Sequence, residues 1–119
     1  MNLEFFRTYC LAKKGATESL PFGEDTLVFK VGNKIFALTD FESQPMSFNV
    51  KCDPEMAAEL RAQYPCVQPG YHMNTKHWNT IIADGSVTDQ QLQQWIDHSY
   101  ELVVKSLTKA QQQELGEVE

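Results

Sequence analysis

The run Pro69-Gly70-Tyr71-His72-Met73-Asn74-Thr75-Lys76-His77-Trp78-Asn79 gathers two histidines, two asparagines, a lysine and two large aromatic side chains. Imidazoles accept, donate and ligate metals, amides offer both hydrogen-bonding polarities, and aromatic rings stack. A binding or chemical role is therefore expected here first, in a segment that opens like a turn and leads into a strand. Zinc would need converging ligands. His72 and His77 are five apart, a spacing that a strand does not bring to one face as a helix does for i and i+4, and Cys66 could join only through the loop. Nucleophilic catalysis by Cys66, with His72 or His77 as base, would need an orienting acid and an oxyanion site, and the sequence identifies neither. The expectation is thus no catalytic residue, no metal and no cofactor. Binding remains: Tyr71, His72, Asn74, His77 and Trp78 can stack or hydrogen-bond, and Lys76 can meet a phosphate. The structural alternative is that Gly70 supplies an unusual backbone angle, His72 and Asn74 bond main-chain groups, and Trp78 fills the core.

The elements that must position this run are legible in outline. Asn2 caps a helix over about residues 3 to 14, with Leu3, Phe6 and Cys10 on one face and Lys13-Lys14-Gly15 at its end. Segments 26 to 31 and 34 to 40 flank Gly32-Asn33, a two-residue hairpin turn with glycine first. That turn pairs residues whose numbers sum to 65 and puts Leu27, Phe29, Val31, Phe36 and Leu38 on one side. Thr26, Val28, Lys30, Ile35, Ala37 and Thr39 fall on the other. A third strand, 46 to 52, repeats the contrast, since Met46, Phe48 and Val50 alternate with Ser47, Asn49 and Lys51. Helices should cover the apolar face and leave the polar face, with its two lysines, for solvent or a partner. Asp53-Pro54-Glu55 starts a second helix that Tyr64-Pro65 ends, with Met56, Ala57 and Leu60 as its stripe. A loop through Cys66 to Met73 leads to a strand over 77 to 83 and the turn Asp84-Gly85. Thr88 with Gln91 resembles a capping box before a long helix whose face is Leu92, Ile96, Ser99, Val103 and Leu107. A short extra helix follows Thr108. Cys10 and Cys52 read as buried thiols, and Asp97-His98 and Tyr100 as helix-surface and packing residues.

The chain is a single-domain length, 119 residues, with 42% hydrophobic and 22% charged residues, as in an ordinary soluble globule. No apolar run reaches the length of a membrane span and the first residues lack a secretory signal, so a cytoplasmic protein without a membrane partner is expected. Cys10, Cys52 and Cys66 fit no disulfide framework and read as reduced thiols. The net charge of −6 argues against a strongly basic nucleic-acid binder. The acidic excess lies mainly in residues 84 to 119, where two cations face seven carboxylates, whereas residues 26 to 83 balance. DNA binding through Lys30, Lys51 and Lys76 would accordingly be weak and salt-sensitive. The competing reading is a protein partner received by the polar sheet face, the 69 to 79 loop or an exposed edge strand.

Leu20-Pro21-Phe22-Gly23, the hairpin from Thr26 to Leu38, Lys51-Cys52-Asp53-Pro54-Glu55, the run Pro69 to Trp78, Asp84-Gly85-Ser86 and Asp97-His98-Ser99-Tyr100 together resemble the MmcQ/YjbR family of small bacterial proteins. The likeness covers nearly the whole chain. It implies one α+β domain over residues 1 to 119, a two-layer antiparallel sheet backed by helices in the order α-β-β-β-α-β-α, comparable to frataxin-like and secretion-chaperone-like folds. Members of that family are commonly labelled DNA-binding. The resemblance therefore implies a non-enzymatic DNA-binding protein, with Lys30, Lys51, Tyr71, His72, Asn74, Lys76, His77 and Trp78 as the residues that would meet nucleic acid or another partner; fold alone does not establish that activity.

Overall fold

The structure, a computed structural model, describes residues 1–70 and 73–116. Asn2 caps helix α1 (Leu3–Leu11) by accepting from the Phe5 amide at 2.8 Å. The helix stops at Ala12, short of the lysine pair. Strands β1 (Thr17–Ser19), β2 (Thr26–Val31), β3 (Lys34–Asp40) and β4 (Ser47–Lys51) follow. The Asp53 carboxylate caps α2 (Pro54–Gln63), with proline in the first turn, where its missing amide costs nothing. Strands β5 (Val67–Pro69) and β6 (Trp78–Ile82) then precede α3 (Asp89–Ser106) and α4 (Lys109–Leu115). Thr88 caps α3 through the Gln91 amide, while the reciprocal capping box is found at Thr108 and Gln111, opening α4.

The fold is α+β, and its six strands form one antiparallel sheet in the order β1-β2-β3-β4-β6-β5. The two strands absent from the sequence reading, β1 and β5, are three-residue edges, too short to display alternation. One face is packed against helices. Phe6 of α1 meets Phe29 edge-on at 5.5 Å and Phe48 at 4.8 Å, Phe36 meets Tyr100 of α3 at 5.3 Å, and Tyr64 meets Trp95 at 5.3 Å. Leu92, Ile96, Ser99 and Val103 of α3 are buried there, as the 3.6-residue period requires.

The two-residue hairpin turn expected at Gly32-Asn33 forms, with both central residues left-handed, Gly32 at φ 56° and Asn33 at φ 66°, the type I′ signature. Pairing begins as the turn dictates, Val31 with Lys34 and Lys30 with Ile35, then shifts by one at a bulge, so that Phe29 faces Ala37 and Val28 faces Leu38. Leu38 consequently lies on the face opposite Phe29, contrary to the unbroken register, and Ala37 and Thr39 turn toward the helices. β3 and β4 pair only from Ala37–Val50 onward. Beyond that point Ser99 of α3 inserts its hydroxyl, donating to the Phe36 carbonyl at 2.5 Å and accepting from the Lys51 amide at 2.8 Å. A side chain thus supplies the bonds that the bulge takes from the ladder, and two buried backbone groups stay paired.

Candidate functional site

The face of the sheet away from the helices carries Thr26, Val28 and Lys30 of β2, Ile35, Leu38 and Asp40 of β3, Ser47, Asn49 and Lys51 of β4, and Trp78 and Thr80 of β6. It is less uniformly polar than the alternation suggested. Val28, Leu38 and Trp78 form an apolar strip across it, against which Ile35 and Met73 pack. Trp78 is 8% exposed, so it serves as a floor and offers little ring for stacking.

The cations lie at the hairpin end of this face. Lys51 is directly opposite Trp78, and Lys30 is opposite Ile35 near the β2–β3 turn; both are half-buried. Lys76 is exposed on the β5–β6 loop. Asn74 holds that loop: its side chain accepts from the Lys76 amide at 2.9 Å, and its carbonyl accepts from the amides of His77 and Trp78. The His77 carbonyl in turn accepts from the Cys52 amide at 2.7 Å. Asn74 and His77 are therefore engaged through loop-forming contacts, with His77 half-buried. Tyr71 and His72 lie outside the described residues. Gly70 is not among the residues with positive φ. What it supplies is space, because a Cβ there would stand 3.0 Å from the Trp78 Cβ and 3.1 Å from that residue's carbonyl group. Arg61, which no sequence motif singles out, donates to the Thr75 carbonyl at 3.2 Å and ties α2 to the loop.

Further along the strands a groove of about 320 Å³ opens on the same face, lined by Phe22, Thr26, Leu38, Asp40, Asn49 and Met73. Phe22 is 65% exposed. Thr80 donates to the Asn49 Oδ1 at 2.6 Å, which fixes the amide and leaves its NH2 as the group able to donate. Asp40 accepts from the amides of Glu42 and Ser43 and from the Ser43 hydroxyl. An aromatic wall and an oriented amide can hold a planar, partly polar ligand in this groove, whose one charged lining residue among those described is Asp40; the cations stand toward the hairpin end.

The thiols offer a poor nucleophile. Cys10, Cys52 and Cys66 are all buried. Burial pushes the Cys10 thiol up strongly, and burial followed by the charge of Asp53 pushes Cys52 up to about 11. Among the described residues no group of three His, Cys, Asp or Glu side chains converges to hold a metal. Asp97 accepts from Tyr9 at 2.6 Å and pairs with Lys13, and His98 accepts from the Asp53 amide at 3.4 Å, so this helix step makes packing contacts. No helix among the described residues is long and apolar enough to cross a membrane.

The YjbR family model matches residues 11–102. The chain belongs to the YjbR family. It is 35% identical to YjbR of Escherichia coli K12 over 90% of its own length and 91% of that protein, and 38% identical to YbdF of Escherichia coli O157:H7 over 77% and 75%. The crystal structure of the Deinococcus radiodurans protein DR2400 superposes with a TM-score of 0.90 at 40% identity, covering 97% of this chain and 88% of that one. A Pseudomonas syringae protein of 26% identity superposes at 0.74 over 87% and 99%. The α+β arrangement expected of a YjbR protein is thus matched along nearly the whole chain.

Proposed function

We propose that this YjbR protein is a non-enzymatic cytoplasmic binding protein whose open sheet face takes DNA, single strands in preference to duplexes. The observation that carries the reading is that Lys30 and Lys51 lie toward the hairpin end of one sheet face, with Lys76 exposed on the loop before β6, and that the groove on this face is walled by the exposed Phe22. Phosphates would lie along the lysines, and an unstacked base would enter the groove against Phe22 with the Asn49 amide at its edge. A groove of this size admits a base but not a duplex. The burial of all three thiols, Cys66 among them, supports the non-enzymatic part.

Three phosphate contacts set the scale. On a single strand they give a logarithmic salt slope of about −2, at roughly −0.7 for each neutralised phosphate. Fluorescence anisotropy of labelled single-stranded and duplex DNA, at low and near-physiological salt, should show saturable binding with that shallow slope. Joint replacement Lys30→Glu, Lys51→Glu and Lys76→Glu should abolish it. Absence of saturable binding at low salt would overturn the reading. A second reading, a protein partner on the same face, draws on the apolar strip of Val28, Leu38 and Trp78. It is separated by capture that survives both nuclease and the three charge reversals.

A further inference from the structure

At the other end of the sheet, on the helix side, a groove of about 460 Å³ runs between α1 and strands β1 and β2, lined by Leu3, Glu4, Arg7, Glu18, Leu20, Leu27 and Phe41. Its floor is Leu27, a core residue, and its walls are Leu20 and Phe41, 48% and 43% exposed. Among the described residues the exposed large apolar side chains are Phe5, Leu20, Phe22 and Phe41; Leu20 and Phe41 line this groove, whereas Phe22 walls the groove on the opposite face. Isolated exposed apolar residues need no explanation, but two of them walling one groove above an apolar floor do.

The charge around the groove narrows the occupant. Glu4 and Glu18 line it, Glu24 and Asp25 stand on the loop that carries Leu20, and the Asp25 carbonyl accepts from the Phe41 amide at 3.1 Å. Glu42 follows Phe41 in the chain, while the Asp40 carboxylate lines the groove on the opposite face. Against these carboxylates the groove lining sets Arg7, already spent on Glu18 through two hydrogen bonds of 2.7 and 2.5 Å. A second copy of this chain would bring carboxylates against carboxylates, and a nucleic acid would bring phosphates. β1, whose Glu18 lines the groove, is also an edge of the sheet, so main-chain hydrogen bonding to an incoming strand is geometrically open beside the apolar walls. We infer that this groove is a docking site for a peptide segment of a partner protein that presents bulky apolar side chains flanked by lysine or arginine.

Three short labelled peptides test this against the intact chain by fluorescence anisotropy: one of leucines and lysines, one with serine in place of leucine, and one with glutamate in place of lysine. The leucine-lysine peptide should bind saturably and the other two should not. The double variant Leu20→Ser with Phe41→Ser changes exposed side chains and should weaken binding about tenfold or more, the scale on which central apolar anchors act. Glu4→Gln with Glu42→Gln should weaken it less and flatten its salt dependence. The inference is overturned if the leucine-lysine peptide does not bind, if the serine-lysine peptide binds as tightly, or if neither pair of substitutions changes the affinity. It is equally overturned if the chain sediments as a dimer that the Leu20 and Phe41 substitutions dissociate, because the groove's occupant would then be a second copy.

Discussion

The two ends of the sheet are built differently and display opposite chemistry. At the hairpin end the backbone is held by bonds made around a bulge and a loop, and the surface shows Lys30, Lys51 and Lys76. At the opposite end the chain is held by the packing of α1 against the sheet and by one bidentate ion pair, and the surface shows Leu20 and Phe41 within a border of carboxylates. The net charge of −6 is the sum of these regions and of an acidic C-terminal third. A summed charge governs solubility and long-range steering, whereas a ligand at contact distance meets the local one within about a Debye length of 8 to 10 Å. Composition alone therefore counts less against a phosphate at the hairpin end than the total suggests, and it says nothing of a basic partner at the other.

The sharpest way to break the hairpin end is Ser99→Ala. The substitution leaves the Phe36 carbonyl and the Lys51 amide buried without the hydroxyl that serves both. Each orphaned group costs about 1 to 3 kcal/mol, so a loss of about 2 to 6 kcal/mol is expected in urea denaturation. The damage should be local as well as global. Hydrogen exchange at the Lys51 amide should accelerate more than at α1, and DNA affinity should fall even though no cation has been removed. A loss below about 0.5 kcal/mol would mean that the ladder closes without Ser99.

Gly70→Ala comes next. The added methyl meets the Trp78 backbone, which cannot swing aside as a flexible side chain could, and overpacking of this kind costs about 1 to 3 kcal/mol. Trp78 and the loop bearing Lys76 should shift together, seen as a red-shifted emission from Trp78 in a Trp95→Phe background. Unchanged emission and stability would show that the loop has slack, and the hairpin end would then be less rigid than its hydrogen bonding implies.

What the sequence disclosed follows the same division. Strand ends marked by turn residues were readable: Gly32-Asn33 places the hairpin, Asp53-Pro54 starts α2, and the alternation Ser47-Phe48-Asn49-Val50-Lys51 puts Lys51 on the open face. The bulge was hidden, because Ile35-Phe36-Ala37-Leu38 is apolar throughout and a one-residue slip leaves its hydrophobic pattern intact. That slip moved Leu38 to the open face and created the apolar strip beside Trp78. Trp78 is buried within a cluster with Val28 and Leu38 against which Ile35 and Met73 pack, a gathering that no local pattern encodes. The groove between α1, β1 and β2 left a trace in Leu20, an apolar residue in a loop, but its partners Leu3 and Phe41 are brought near only by the tertiary fold.

The smallest effect expected is also the one that separates stability from binding at the acidic end. The hydrogen bonds from Arg7, with its charge, hold the Glu18 carboxyl below its ordinary value of 4.5. A carboxyl whose pKa is lowered in the folded state contributes stability that is fully present above the unfolded value and is lost as pH falls through the folded one. Arg7 is 53% exposed and Glu18 28%, so solvent screens the pair and the contribution is small and weakens with salt. Arg7→Ala should therefore lower stability slightly above about pH 4.5, with the difference from the unsubstituted chain shrinking as Glu18 becomes protonated in more acid solution. The same substitution releases a carboxylate into the groove border, so the leucine-lysine peptide should bind more tightly while the fold becomes marginally weaker. Parallel loss of stability and affinity would instead make Arg7 part of the groove's architecture and remove the electrostatic distinction between the two ends.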